Sequence, residues 1–221
     1  MNPKDFRDKT THIPVAREGI PYLAAGMFVT LITAILGHSI LTWLGLVVVL
    51  LIGHFFRDPE RICSPGEAEA VSPADGKIIA LERAEHAHFF SRPTTKISIF
   101  MSILDVHVNR IPFSGIVRGI SHQEGSFLSA DRPRASLENE KNWLWIETER
   151  GHDLVLTQVA GFIARRIVCW PRVGDQVIAG ERFGLIRFGS RVDVYFPESA
   201  EVMVRKGQHV YAGETVLCRL K

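Results

Sequence analysis

Between Glu18 and Arg57 the chain carries no Lys, Arg, Asp or Glu. This apolar run divides at Gly37-His38-Ser39 into Tyr22–Leu36 and Ile40–Phe56. The halves are 15 and 17 residues, roughly 23 and 26 Å as helix and short of a hydrocarbon core of about 30 Å. The pattern predicts a helical hairpin that either spans a bilayer tightly or dips into one leaflet. A small soluble domain rarely buries two uncharged helices completely, which disfavours a buried hairpin. The run starts too late for a cleaved signal peptide and lacks its small-residue site. Pro59 in Arg57-Asp58-Pro59-Glu60-Arg61 cannot continue the second helix.

From Cys63 onward the texture changes to short β-type runs punctuated by Gly and Pro. Strands are expected at Lys77–Leu81, Thr95–Phe100, Gly115–Ile120, Trp143–Thr148, Leu154–Val159, Ile167–Cys169, Arg182–Phe188, Val192–Phe196 and Thr215–Leu220. The run Arg187–Pro197 reads as a strand entering a tight turn at Gly189-Ser190 and a strand leaving it. Gly174-Asp175-Gln176-Val177-Ile178-Ala179-Gly180-Glu181 is echoed 33 residues later by Gly207-Gln208-His209-Val210-Tyr211-Ala212-Gly213-Glu214. Such units occur in flattened β-sandwiches of the lipoyl and biotinyl type, and two copies are too few for a solenoid. The expected fold is mainly β: a sandwich-like domain with lipoyl-like pseudo-repeated units, preceded by an α-helical membrane hairpin. Residues 1–18 form a polar lead, 19–56 the anchor and 57–221 the β-rich domain. The polar, aperiodic stretch Ser121–Asn142 reads as a long loop, either a mobile lid or a solvated surface segment.

Charge changes the picture little. The 221 residues include 26 basic and 24 acidic side chains, a net +2 that gives no reason to invoke nucleic acid. Lys4, Arg7, Lys9 and Arg17 precede the hairpin, and Arg57 and Arg61 follow it, favouring the cytoplasmic side for both ends. Cys63, Cys169 and Cys218 form neither a metal-like spacing nor an even disulfide set, and Cys169 and Cys218 sit in apolar runs. They read as thiols in a reducing compartment. Glu85-His86-Ala87-His88 looks superficially metal-binding, but without converging ligands it reads as a surface loop, and no metal is expected.

The candidate chemistry centres on Gly189-Ser190. The Ser190 hydroxyl can reach back to the carbonyl behind it. Taken with Asp75 in Ser72-Pro73-Ala74-Asp75-Gly76 and His107 in Asp105-Val106-His107-Val108-Asn109-Arg110, this site resembles the phosphatidylserine decarboxylase family. Further carriers are Gln158-Val159-Ala160-Gly161, Arg165-Arg166-Ile167-Val168, and Gly174-Asp175 followed by Gly180-Glu181. The compact length and C-terminal Gly-Ser are similar to the short, membrane-anchored, pyruvoyl-dependent subgroup. The resemblance implies a proenzyme cut between Gly189 and Ser190, with Ser190 becoming a covalent pyruvoyl cofactor. It implies two products held together as a heterodimer, residues 1–189 and a 32-residue remainder. The substrate would be phosphatidylserine in the cell membrane, decarboxylated through a Schiff base to phosphatidylethanolamine and CO2 on the cytoplasmic side, in phospholipid biosynthesis. A higher homo-oligomer is compatible with this reading.

His107 is the candidate acid/base, since imidazole titrates near neutrality. Asp75 is the candidate partner of the processing site, although Asp-Gly also marks ordinary hairpins. Longer family members carry a second histidine three residues after the first, and that position here is Arg110. Arginine cannot act as a base in a protein. Either His107 serves both steps, or another residue such as His122 substitutes, or strain and carbonyl polarisation suffice. Arg110 suits a substrate phosphate or carboxylate instead. Two competing readings are a membrane-anchored lipoyl-like adaptor and a decarboxylase of another serine-headgroup lipid. Neither repeat offers the exposed hairpin lysine that a carrier needs.

Overall fold

The computed structural model describes residues 14–84, 88–89, 92–128, 130, 138–161, 166–187 and 189–221. Most of the polar lead, Glu85-His86-Ala87, Arg165 and the middle of the 121–142 stretch lie outside the described residues. The described chain divides into two compact units, one before Arg61 and one from Arg61 onward.

In the first unit a 3-10 turn at Arg17–Gly19 leads into α1 (Ile20–Ile35), and α2 (Ser39–Phe55) follows. The reversal uses Gly37, at φ 76°. The helices pack through small residues. Gly45 faces Thr30, and a Cβ on Gly26 would stand 3.0 Å from Val49. Across the same seam Thr42 Oγ1 donates to Thr33 Oγ1 at 3.3 Å. Close approach through small and hydroxyl-bearing residues is how helices associate where lipid removes the hydrophobic drive. Phe28, Ile35, Ile40, Trp43 and Leu50 remain exposed on the outside. The segment Arg17–Ile35 is long and apolar enough to cross a membrane, and Ser39–Phe55 is apolar but shorter.

The second unit is mainly β. Its strands are β1 (Glu69–Val71), β2 (Gly76–Ala84), β3 (Thr94–Met101), β4 (Val108–Arg110), β5 (Gly115–Gln123), β6 (Lys141–Thr148) and β7 (Asp153–Val159). They continue as β8 (Ile167–Cys169), β9 (Gln176–Val177), β10 (Arg182–Ile186), β11 (Ser190–Pro197), β12 (Glu201–Val202), β13 (His209–Val210) and β14 (Val216–Arg219). Eight form one sheet in the order β13-β2-β3-β11-β7-β6-β5-β9. Two three-stranded sheets, β1-β14-β12 and β4-β10-β8, complete the unit.

Period-2 alternation sets the faces of the large sheet. Val192, Val194 and Phe196 of β11 join Ile97, Ile99, Leu154, Leu156, Leu144 and Ile146 in the main core. Alternate residues Arg191, Asp193 and Tyr195 point the other way. There Arg191 Nε and Asp193 Oδ1 form a buried ion pair at 2.8 Å, next to a small Trp143–Val155 cluster.

Each copy of the sequence echo joins an edge strand of the large sheet (β9 or β13) to the central strand of a three-stranded sheet (β10 or β14). Both copies turn on glycines with φ between 76° and 93°. A Cβ on Gly213 would stand 3.7 Å from Gly180 Cα, so the turns beyond the two edges meet and the sheet curls. The pairing does not define two equivalent lipoyl-like units.

Two local expectations are corrected. The strands flanking Gly189-Ser190 are not partners: β10 pairs with β4 and β8, whereas β11 pairs with β3 and β7. The dipeptide is a crossover between sheets, because each strand follows its own buried face. The 121–142 stretch is also shorter as a loop than expected, since β5 extends to Gln123 and β6 begins at Lys141.

Candidate active site

Ser190 opens β11, opposite Met101 at the end of β3. It is fully buried, and its hydroxyl has no hydrogen-bond partner among the described residues. A buried polar group in that state costs about 1–3 kcal/mol. Gly189, just before it, sits at φ 57°, a left-handed conformation that a side chain would strain. The junction therefore combines a destabilised hydroxyl with an unusual backbone.

His107 lies just beyond the same end of β3. The turn between them is tied by Ser102 Oγ donating to Asp105 Oδ2 at 2.7 Å and by Asp105 N donating to Ser102 O at 3.0 Å. The buried His107 ring has Nδ1 2.9 Å from Asp105 O. A carbonyl only accepts, so Nδ1 carries the proton and Nε2 holds the lone pair of the neutral ring. Asn109, two residues on, folds β4 back over Met101, with Nδ2 3.6 Å from its sulfur. Gln158 Nε2 donates to Asn109 Oδ1 at 2.9 Å, and Asn142 Nδ2 donates to Gln158 Oε1 at 3.1 Å. This buried amide chain ties β4 to β7 and β6 on the face that Ser190 shares.

Asp75 reaches the same end of the sheet from β2. Lys77 and Arg191 both pair with Phe100, from opposite sides of β3. One rung further, Gly76 and Ser190 flank Met101. With strands about 4.8 Å apart, these backbones stand about 10 Å from each other. Asp-Gly here is not a hairpin turn. A Cβ on Gly76 would stand 2.8 Å from Phe100 C and 3.2 Å from Met101 Cα, so the glycine serves a close backbone approach. The Asp75 carboxylate accepts from Arg61 Nη2 at 2.7 Å and from Ala212 N at 2.8 Å. Both side chains of the ion pair are almost fully buried.

Arg110 is buried and donates through Nη1 to Gly180 O at 2.9 Å. Its charge reaches Cys63, whose thiol burial pushes up and Arg110 draws partly back down. Burial raises the thiols of Cys169 to about 11 and Cys218 to about 12. All three cysteines are free, Cys218 buried and Cys169 partly open. His122 is half exposed, 3.5 Å from Glu140. His88 stacks on Trp143 with ring centroids 3.9 Å apart. Among the described residues no group of three His, Cys, Asp or Glu side chains could hold a metal.

The geometry thus gathers Ser190, Gly189, His107 and Asp75 at one end of the large sheet, with the Asp75 carboxylate bound to Arg61. Sequence reasoning missed Arg61, reading it only as a basic flank of the hairpin. No local signal marks a pair made 14 residues apart across an irregular segment. Gly161 was noted only as part of a motif, although it touches the Gly189 carbonyl.

Ser190 is thus a buried serine behind a left-handed glycine, at the junction of two sheets. The phosphatidylserine decarboxylase family model matches residues 49–218. A phosphatidylserine decarboxylase proenzyme of Geotalea uraniireducens is 48% identical over 96% of this chain and 98% of its own. Those of Syntrophus aciditrophicus and Geobacter sulfurreducens are each 47% identical, over 92% and 95% of this chain and 96% and 98% of their own. The chain belongs to the phosphatidylserine decarboxylase family.

Proposed function

We propose that this chain is a proenzyme that cuts itself between Gly189 and Ser190 and then decarboxylates phosphatidylserine to phosphatidylethanolamine and CO2. The observation that carries the reading is the buried Ser190 hydroxyl, unpartnered among the described residues, directly behind a glycine at φ 57°. Ser190 Oγ attacks the Gly189 carbonyl carbon, and its proton passes through His107 Nε2 to the departing Ser190 nitrogen. The peptide bond becomes an ester. Loss of the Ser190 Cα proton then expels the Gly189 carboxylate and leaves dehydroalanine. This tautomerises, and water releases ammonia and leaves a pyruvoyl end on residue 190.

The fold suits that product. Residues 190–221 contribute β11, central between β3 and β7, and β14, central between β1 and β12. A cut at 189 severs no strand pairing, which supports a lasting heterodimer of the two products. The pyruvoyl carbonyl supplies an electron sink for decarboxylation of a bound amine. His107 delivers the proton that replaces CO2. Asp75, held by Arg61 and Ala212, acts as a positioning residue. Arg110 supplies positive charge near this end, suited to a substrate phosphate or carboxylate.

His107→Ala is expected to slow self-cleavage and, per mole of cleaved chain, CO2 release by about 10²–10⁴-fold. Turnover equal to wild type would exclude His107 as an essential proton donor.

We further propose that α1 and α2 anchor the chain in the cell membrane, with the β unit on the cytoplasmic side. Deleting residues 1–56 is expected to move the β unit from the membrane to the soluble fraction on sedimentation. Unchanged membrane attachment would contradict the assignment. Substrate class is tested by measuring CO2 release from phosphatidylserine vesicles and from free serine. Release from the lipid is expected, and reaction with free serine alone would sink the lipid reading.

A further inference from the structure

The register that pairs Arg191 with Val159 continues to set Gly189 opposite Gly161. There the two backbones come closer than a side chain permits. A Cβ on Gly161 would overlap the Gly189 carbonyl oxygen and stand 2.8 Å from its carbon. The scissile carbonyl therefore rests directly on the Gly161 Cα. Both flanks of this contact are held by residues between β5 and β6. Asn139 Nδ2 donates to Ala160 O and to Leu128 O, each at 2.7 Å, and Leu128 N donates to Asn139 Oδ1 at 2.9 Å. Arg191 Nη1 donates to Ala130 O at 3.0 Å. The Ala130 methyl would lie 3.5 Å from a Cβ at 161. Neither Ala160 nor Arg191 is free to retreat and admit a side chain between them.

We propose that Gly161 is a positioning residue for self-cleavage, fixing the direction of the Gly189 carbonyl so that the Ser190 hydroxyl meets its carbon. The inference rests on the reading of Ser190 as the cleavage nucleophile. Attack needs the reacting atoms about 3–3.5 Å apart and aligned, and a displacement near 1 Å can cost about 10²-fold. A methyl group at 161 would push the oxygen aside and turn the peptide plane.

The test compares wild type, Gly161→Ala and Gly115→Ala. Gly115 is a matched control in β5, where a Cβ would stand 2.9 Å from Glu147 C, away from the junction. Each protein is followed by denaturing intact mass over time, with and without hydroxylamine, which cuts esters, and by thermal melting. Gly161→Ala is expected to melt like Gly115→Ala yet cleave about 10²-fold more slowly than wild type. Hydroxylamine should release no fragment from it beyond that slow cleavage, because ester formation is the slowed step and no ester accumulates. Cleavage of Gly161→Ala at the wild-type rate would overturn the inference. So would equal loss of cleavage in Gly115→Ala, loss of the Gly161→Ala melt, or a hydroxylamine-released fragment beyond that slow cleavage. An uncut wild type would instead contradict the processing reading itself.

Discussion

Ser190→Ala is expected to yield one uncut chain with no measurable decarboxylation. The substitution removes the only atom that can form the ester, so processing has no alternative route through this residue. It should leave the fold intact. The lost hydroxyl is buried without a hydrogen-bond partner among the described residues, so its removal leaves no acceptor or donor stranded. Replacing such a group by hydrogen is near neutral or stabilising, within about 1 kcal/mol. The variant thus separates chemistry from folding. Intact mass, thermal melting and CO2 release from phosphatidylserine vesicles should show an uncut chain, an unchanged or raised Tm, and background activity. Wild-type turnover by the uncut variant would end the pyruvoyl reading.

Arg61→Ala is expected to destabilise the β unit by about 3–5 kcal/mol, the usual cost of stripping one partner from a buried ion pair. Domains of this kind hold about 5–15 kcal/mol in all, so the loss is a large share. The cause is the Asp75 carboxylate, which among the described residues would keep only the Ala212 amide at 2.8 Å inside a nearly dry site. Asp75→Asn in the same background removes the stranded charge and should recover much of the loss. Denaturant unfolding of Ser190→Ala versions of wild type, the single variants and the double variant would measure this on uncut chains. A cost below about 1 kcal/mol for Arg61→Ala would mean that the pair behaves like a surface salt bridge.

These expectations depend on features of unequal visibility in the chain. The uncharged run from Gly19 to Phe56 marks the helices directly, because charge is what a lipid-facing helix must lack. Strands β3, β6, β7 and β11 were visible as alternating or continuous apolar runs because both their faces are largely buried. The two-residue strands β9, β12 and β13 were not, since two residues carry no period. The separation of β10 from β11 also escaped notice. Proximity in sequence suggests a hairpin, but pairing follows the buried faces, which favour β4 and β8 for one and β3 and β7 for the other.

The site divides in the same way. As candidates, Ser190, His107 and Asp75 were legible in their motifs. The setting of Asp75 was not, because Arg61 and Ala212 reach it from opposite ends of the second unit. Arg61, counted in the sequence with the basic residues flanking the hairpin, is buried against Asp75 and makes a poor membrane-flank charge. The contact between Gly161 and Gly189 was equally hidden, since glycine carries no pattern and its value here is the space it leaves.

The account turns on whether the bond between Gly189 and Ser190 breaks. A denaturing intact-mass spectrum of the purified wild-type protein tests this most directly. The account predicts two chains, residues 1–189 and a 32-residue remainder whose first residue is a pyruvoyl group. A single wild-type chain that stays uncut for days, yet decarboxylates phosphatidylserine, would contradict it.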